Sequence, residues 1–159
     1  NMSFVYTRSM EEGQKPVGPQ KFHRDTLDPD FLHLVIHVYD IYENNGPFTY
    51  INAEKSLEII KAINHEGGRV EDEVIKNFIG PEKMSRLIGK AGSAWFVNPY
   101  YCFHHGARVG ESFRLMLIVS YATPHERVEG LAAMYRPVYR NKLLNTETTQ
   151  AERHLLKAY

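Results

Sequence analysis

The sequence predicts a mainly-β protein, an antiparallel sandwich or barrel carrying a helical insertion. Three observations lead there. Strand-like segments come first, helix-like segments follow, and strand-like segments return, without the regular strand–helix alternation of a parallel sheet. Aromatic residues are frequent, with ten Tyr and eight Phe, a bias that suits pleated, half-buried strands. The 159 residues suit one domain with its own core, here residues 1–159.

The elements follow in order. Residues 2–8 form a first strand candidate, and Gly13, Pro16, Gly18 and Pro19 mark a loop after it. Residues 20–25 read as a short strand, closed by the Asp28-Pro29-Asp30 turn signal. Residues 31–41, rich in β-branched and aromatic side chains, make a long strand. Asn44-Asn45-Gly46-Pro47 is a strong turn, and residues 48–51 return as a strand, so 31–51 has the look of a hairpin. Leu57, Ile60 and Ile63 then recur at helical spacing across 53–64, with Gly67-Gly68 as the stop. Two shorter helices are expected at 71–79 and 82–90, separated by Gly80-Pro81; together 53–90 is the helical insertion. Strands resume at 94–98, 100–105 and 113–121. Residues 131–139 could add a last strand, and 146–158 a C-terminal helix capped by Asn145 or Thr146.

Composition narrows the function. Nineteen Lys plus Arg balance nineteen Asp plus Glu, so no excess of positive charge calls for nucleic acid or an anionic membrane as partner. No apolar run approaches the roughly 18 residues of a membrane helix. Cys102 is the single cysteine, which excludes an internal disulfide and, with no secretory pattern at the start, points to a cytoplasmic location.

Three elements carry chemistry. In His23-Arg24-Asp25, an imidazole and a carboxylate sit at i and i+2, the same face of a strand, where they can meet a divalent metal; the plainer alternative is a surface pair sharing a hydrogen bond. In His104-His105-Gly106, adjacent histidines point to opposite faces, so one alone should ligate. A distant histidine added to the first pair completes a facial triad of two imidazoles and a carboxylate, which leaves positions on Fe(II) open. Arg114, ten residues after His104, opens an otherwise apolar strand. A buried guanidinium must be paired, either with an internal carboxylate or with a bound dicarboxylate in bidentate fashion. His33 and His37 share a face of the long strand and either line the cavity or pack in the core. Trp95 is expected in the core and Cys102 as a small buried thiol, with His65, His125 and His154 solvated.

Taken together, Phe22-His23-Arg24-Asp25, Asn44 to Ile51, Cys102-Phe103-His104-His105-Gly106 and Arg114 resemble, in order and strand context, the phytanoyl-CoA dioxygenase-like branch of the Fe(II)/2-oxoglutarate oxygenases. The resemblance spans roughly residues 20–122. It implies a double-stranded β-helix, a jelly-roll or cupin-like barrel with the metal at its open end. It implies that His23, Asp25 and His104 bind Fe(II) and that Arg114 clasps the distal carboxylate of 2-oxoglutarate, with no catalytic residue needed beyond the ligands. The activity implied is hydroxylation of a small organic substrate with release of succinate and CO2. Halogenating members lack the carboxylate ligand, so Asp25 favours hydroxylation or desaturation. The alternatives are a cupin-like metal enzyme that does not use 2-oxoglutarate and a non-catalytic binding barrel; Arg114 speaks against the first and the intact triad against the second. The chain is short for this group, so the lid is reduced or a homo-oligomer covers the pocket. The C-terminal helix would make that contact or pack on the barrel.

Overall fold

The computed structural model describes residues 2–7, 10, 13–26, 29–108 and 112–121. The strand expected at 131–139 and the helix expected at 146–158 lie outside them, as do His125 and His154. Among the described residues the strands are β1 (Met2–Thr7), β2 (Phe22–His23), β3 (Leu32–His37), β4 (Thr49–Tyr50), β5 (Arg69–Val70), β6 (Ser85–Arg86), β7 (Ala94–Val97), β8 (His104–His105) and β9 (Arg114–Tyr121). The helices are α1 (Ala53–Ala62) and α2 (Asp72–Lys76).

The strands form two antiparallel sheets, one in the order β1-β9-β3-β7 and the other β5-β2-β8-β4-β6. The chain alternates between them: β1 and β3 lie in the first, β2 and β4 in the second, and after the insertion β6 and β8 lie in the second, β7 and β9 in the first.

Strand alternation sorts the side chains. Val35, Val97 and Met116 from the first sheet pack with Phe48, Tyr50 and Leu87 around the second. This cluster draws on both sheets, so it is the core between them. A second cluster joins Phe22, Val70 and Phe103 to Ile59 of α1 and Ile75 of α2. It is the core between the five-stranded sheet and the helices on its outer side. On α1 the buried positions are Ser56 and Ile59, while Leu57 is half exposed. The apolar stripe is therefore centred one residue from where its spacing placed it.

Three expectations need correction. β3 and β4 are not a hairpin, because they lie in different sheets. Asn44-Asn45-Gly46-Pro47 does reverse the chain, through a 3-10 turn at Glu43–Asn45 and a left-handed Gly46 with φ 62°. The reversal carries the chain across to the other sheet. Residues 82–90 are not a helix: a 3-10 turn at Pro81–Lys83 leads into β6, where Arg86 pairs with Thr49. Leu87 N–H then donates to Phe48 O, and Gly89 bridges to Ile41. Those sheet bonds are non-local and outweigh the helix expected at 82–90. α1 stops at Ala62, five residues before Gly67, with Asn64 taking the left-handed conformation at φ 49°; Asn tolerates that region better than most residues.

Candidate metal centre

β2 and β8 are two residues each, and they pair with His23 opposite His104. Directly opposed residues share a face of a sheet. His104 also lies opposite Tyr50, whose ring belongs to the inter-sheet core, so both imidazoles point between the sheets. Their rings are 4.3 Å apart, centroid to centroid, and Phe48 stacks on His104 at 5.1 Å.

Asp25 joins them from just beyond β2. Its backbone N–H donates to Pro99 O at 3.1 Å, which carries the chain past the end of the strand with the carboxylate still facing the rings. One ligand atom from each of His23, Asp25 and His104 falls within 4.8 Å of the others. Among the described residues this is the grouping of His, Cys, Asp and Glu with metal-holding geometry.

The hydrogen bonds around the rings fix their chemistry. His23 Nδ1 lies 2.8 Å from Lys21 O, and His104 Nδ1 lies 2.9 Å from Cys102 O. A carbonyl oxygen only accepts, so each Nδ1 carries a proton and each Nε2 is the nitrogen left to face a metal. This is the tautomer that metal-ligating histidines adopt when a carbonyl orients them. Burial, more than any neighbour, pushes the His104 pKa down to about 4, so the ring is neutral at pH 7. His23 Nε2 lies 3.8 Å from Asp25 Oδ1. Burial raises the Asp25 pKa, but the His33 ring and the imidazoles of His104 and His23 more than offset it, and the net shift is downward. Asp25 is thus an anion beside two imidazole donors, of which buried His104 is neutral at pH 7. That set matches the needs of a divalent ion: imidazole nitrogen ligands and one negative oxygen.

His33, on β3, closes the fourth side. Its Nε2 is 3.8 Å from Asp25 Oδ2, and its Nδ1 shares a 2.9 Å hydrogen bond with Ser120 Oγ. Strand alternation could have found Ser120, since it shares a face with Arg114. Nothing in the local sequence marks Asp25 as the residue His33 would meet.

His105 takes the opposite face, opposite Thr49. It packs edge-on against Phe22 at 4.8 Å and lines a cavity of about 290 Å³ beneath the insertion. Arg108 donates to both carboxylate oxygens of Asp72 there, at 2.5 and 2.9 Å. Burial first, and the Arg108 charge second, bring His105 down to about 3.

Arg114 opens β9 and is buried, with its Nε and Nη1 lacking hydrogen-bond partners among the described residues. Its Nη2 packs against Gly106, where an added Cβ would come within 3.3 Å. The guanidinium therefore abuts the segment that carries His104. Burial lowers its pKa to about 10, and it stays charged at neutral pH. His65 is not solvated as expected: burial lowers its pKa, and the ring packs 4.9 Å from Phe103. Cys102 is partly buried, which raises its thiol pKa. No described helix is long and apolar enough to cross a membrane.

No family model and no curated protein matches the chain. Among solved structures, the non-heme monooxygenase ThoJ in its apo form aligns with a TM-score of 0.49 and 14% identity, over 78% of this chain and 45% of that one. HygX from Streptomyces hygroscopicus with iron bound aligns at 0.44 and 15%, over 76% and 56%. Apo HygX aligns at 0.40 and 18%, over 76% and 52%. The chain spans about half the length of these structures.

Proposed function

We propose that this chain is a non-haem iron oxygenase of the 2-oxoglutarate-dependent, phytanoyl-CoA dioxygenase-like kind, hydroxylating a small organic substrate. The carrying observation is the triad itself: two histidines whose Nδ1 protons are committed to carbonyls, with one anionic carboxylate, all facing one point. The alternation of strands between two antiparallel sheets on either side of the insertion supports reading the fold as a double-stranded β-helix.

His23, Asp25 and His104 would hold Fe(II), and their facial arrangement leaves open positions on it. With 2-oxoglutarate and oxygen, the metal supplies oxidative C–H functionalisation, releasing succinate and CO2. The chain's own part is positioning and electrostatics. His23 and His104 present Nε2, and His104, held neutral by burial, does so without first losing a proton. Asp25 supplies the single negative charge, restrained by His33. Arg114 supplies a desolvated cation for a carboxylate, and supports a dicarboxylate cosubstrate over a metal enzyme that uses none. A buried guanidinium left unpaired is costly, and a bound carboxylate removes that cost.

The test is equilibrium binding of 2-oxoglutarate to the Mn(II)-loaded protein without oxygen. The parent should bind it, and Arg114→Lys should bind it about tenfold less tightly or worse, since a point charge cannot reproduce the planar fork. Equal affinity in the two proteins would refute the role of Arg114.

A further inference from the structure

The inward side chains of the four-stranded sheet contain a polar row that the triad does not use. His37 on β3 pairs with Met116 of β9, so Arg114, two residues along, is its diagonal neighbour on the same face. On the other side, Trp95 of β7 pairs with Val35 and is diagonal to His37 in turn; the two rings lie 4.5 Å apart. Trp95, His37 and Arg114 thus run side by side across three strands.

His37 is 1% exposed and Arg114 3%. Neither ring nitrogen of His37 has a hydrogen-bond partner, and neither do Nε and Nη1 of Arg114, among the described residues. Among the described residues the Gly89 backbone is the polar neighbour that bears on the imidazole, short of hydrogen-bond geometry, and the Arg114 charge is close enough to bear on its protonation. Val35, Met116 and Ile118 are among the apolar side chains packed around the row. Buried polar groups ordinarily find partners. Here two adjacent buried residues share the same deficit, and the Arg114 N–H groups and the one N–H of a neutral His37 suit a ligand rich in acceptor oxygens.

We propose that His37 is a second ligand-binding residue of the cosubstrate site, donating its imidazole N–H to the carboxylate that Arg114 clasps. This rests on the 2-oxoglutarate reading above. A neutral imidazole carries one N–H, and a carboxylate offers more acceptor sites than one guanidinium uses. His37 and Arg114 would then select a dicarboxylate from opposite sides of one group, with Trp95 forming the apolar wall behind His37.

The chain contains one tryptophan, so Trp95 emission reports directly on this row. The experiment is an anaerobic fluorescence titration of the Mn(II)-loaded protein with 2-oxoglutarate, alongside a separate Mn(II) titration. The parent should show a saturable change in emission. His37→Phe keeps the ring volume and removes both nitrogens; it should bind Mn(II) like the parent and 2-oxoglutarate at least about tenfold more weakly. His37→Gln, which restores a donor, should recover part of that loss. Without ligand, His37→Phe should melt at a higher temperature than the parent, since it removes a buried polar group with no partner. If the parent binds 2-oxoglutarate and His37→Phe binds it equally well, the role of His37 is overturned and the oxygenase reading stands. If the parent binds Mn(II) and shows no 2-oxoglutarate binding by calorimetry, the oxygenase reading and this inference both fall.

Discussion

At the scale of single residues, the site is decided by where protons sit. A histidine whose Nδ1–H is given to a backbone carbonyl has one nitrogen left to offer, and His23 and His104 are both in that state. Among the described residues, His33, backed by Ser120, lies against the Asp25 carboxylate and restrains it. Removing an outer partner of a ligating group typically costs 10–100-fold in metal affinity. His33→Phe is therefore expected to weaken Mn(II) binding at least about tenfold with the circular-dichroism spectrum unchanged; parent-like affinity would rule out the restraining role. The sequence made His23, Asp25, His104 and Arg114 legible through spacing and order, and the structure brings the first three together. The part played by His33 was not legible, because it depends on the bend after β2 that turns Asp25 toward β3, a tertiary fact with no local signature.

At the scale of elements, the two-residue strand β8 carries both His104 and His105, and something must hold so short a segment in register. Ser56 of α1 does much of this. Its hydroxyl donates to Ile51 O at 3.0 Å and accepts from Phe103 N–H at 3.0 Å, while Ile51 N–H donates to Phe103 O at 2.8 Å. The helix start, fixed by Asn52 accepting from Lys55 N–H at 2.8 Å, is thereby tied to the residue before His104. Ser56→Ala would leave a buried N–H and a buried carbonyl each one partner short, a loss of about 1–3 kcal/mol. Chemical denaturation should register that loss, and an unchanged midpoint would show that β8 is held by other means. The insertion also shows where reading the sequence fails. The helix at Ala53–Ala62 was visible because its periodicity is local. β6 was not, because its pairing partner, Thr49, lies 37 residues away from Arg86. The turn at Gly46 was visible as a reversal, yet reversal alone does not say which sheet receives the next strand.

At the scale of the whole molecule, His37, His104 and His105 are buried in their neutral forms, and this gives the fold a pH signature. Burial lowers His104 from 6.5 to about 4, His105 from 6.5 to about 3, and His37 in the same direction. The unfolded chain takes up protons on these rings as pH falls below about 6.5, while the folded chain does not until about 4 and 3. Their contribution to stability is thus intact above pH 6.5 and is lost progressively as pH falls through that window. The melting temperature of metal-free protein should drop steadily from pH 7 to pH 4.5; a flat or rising profile would mean these rings are not held neutral. Metal occupancy joins these scales, since it depends on the donors, on the register of β8 and on the neutral state of His104. The most direct measurement is calorimetric titration of Mn(II) into the parent, His104→Ala and His105→Ala at pH 7.5. One ion per chain is expected in the parent and in His105→Ala, with binding lost or severely weakened in His104→Ala. Binding that survives in His104→Ala and disappears in His105→Ala would place the metal on the other face of the sheet and contradict the account.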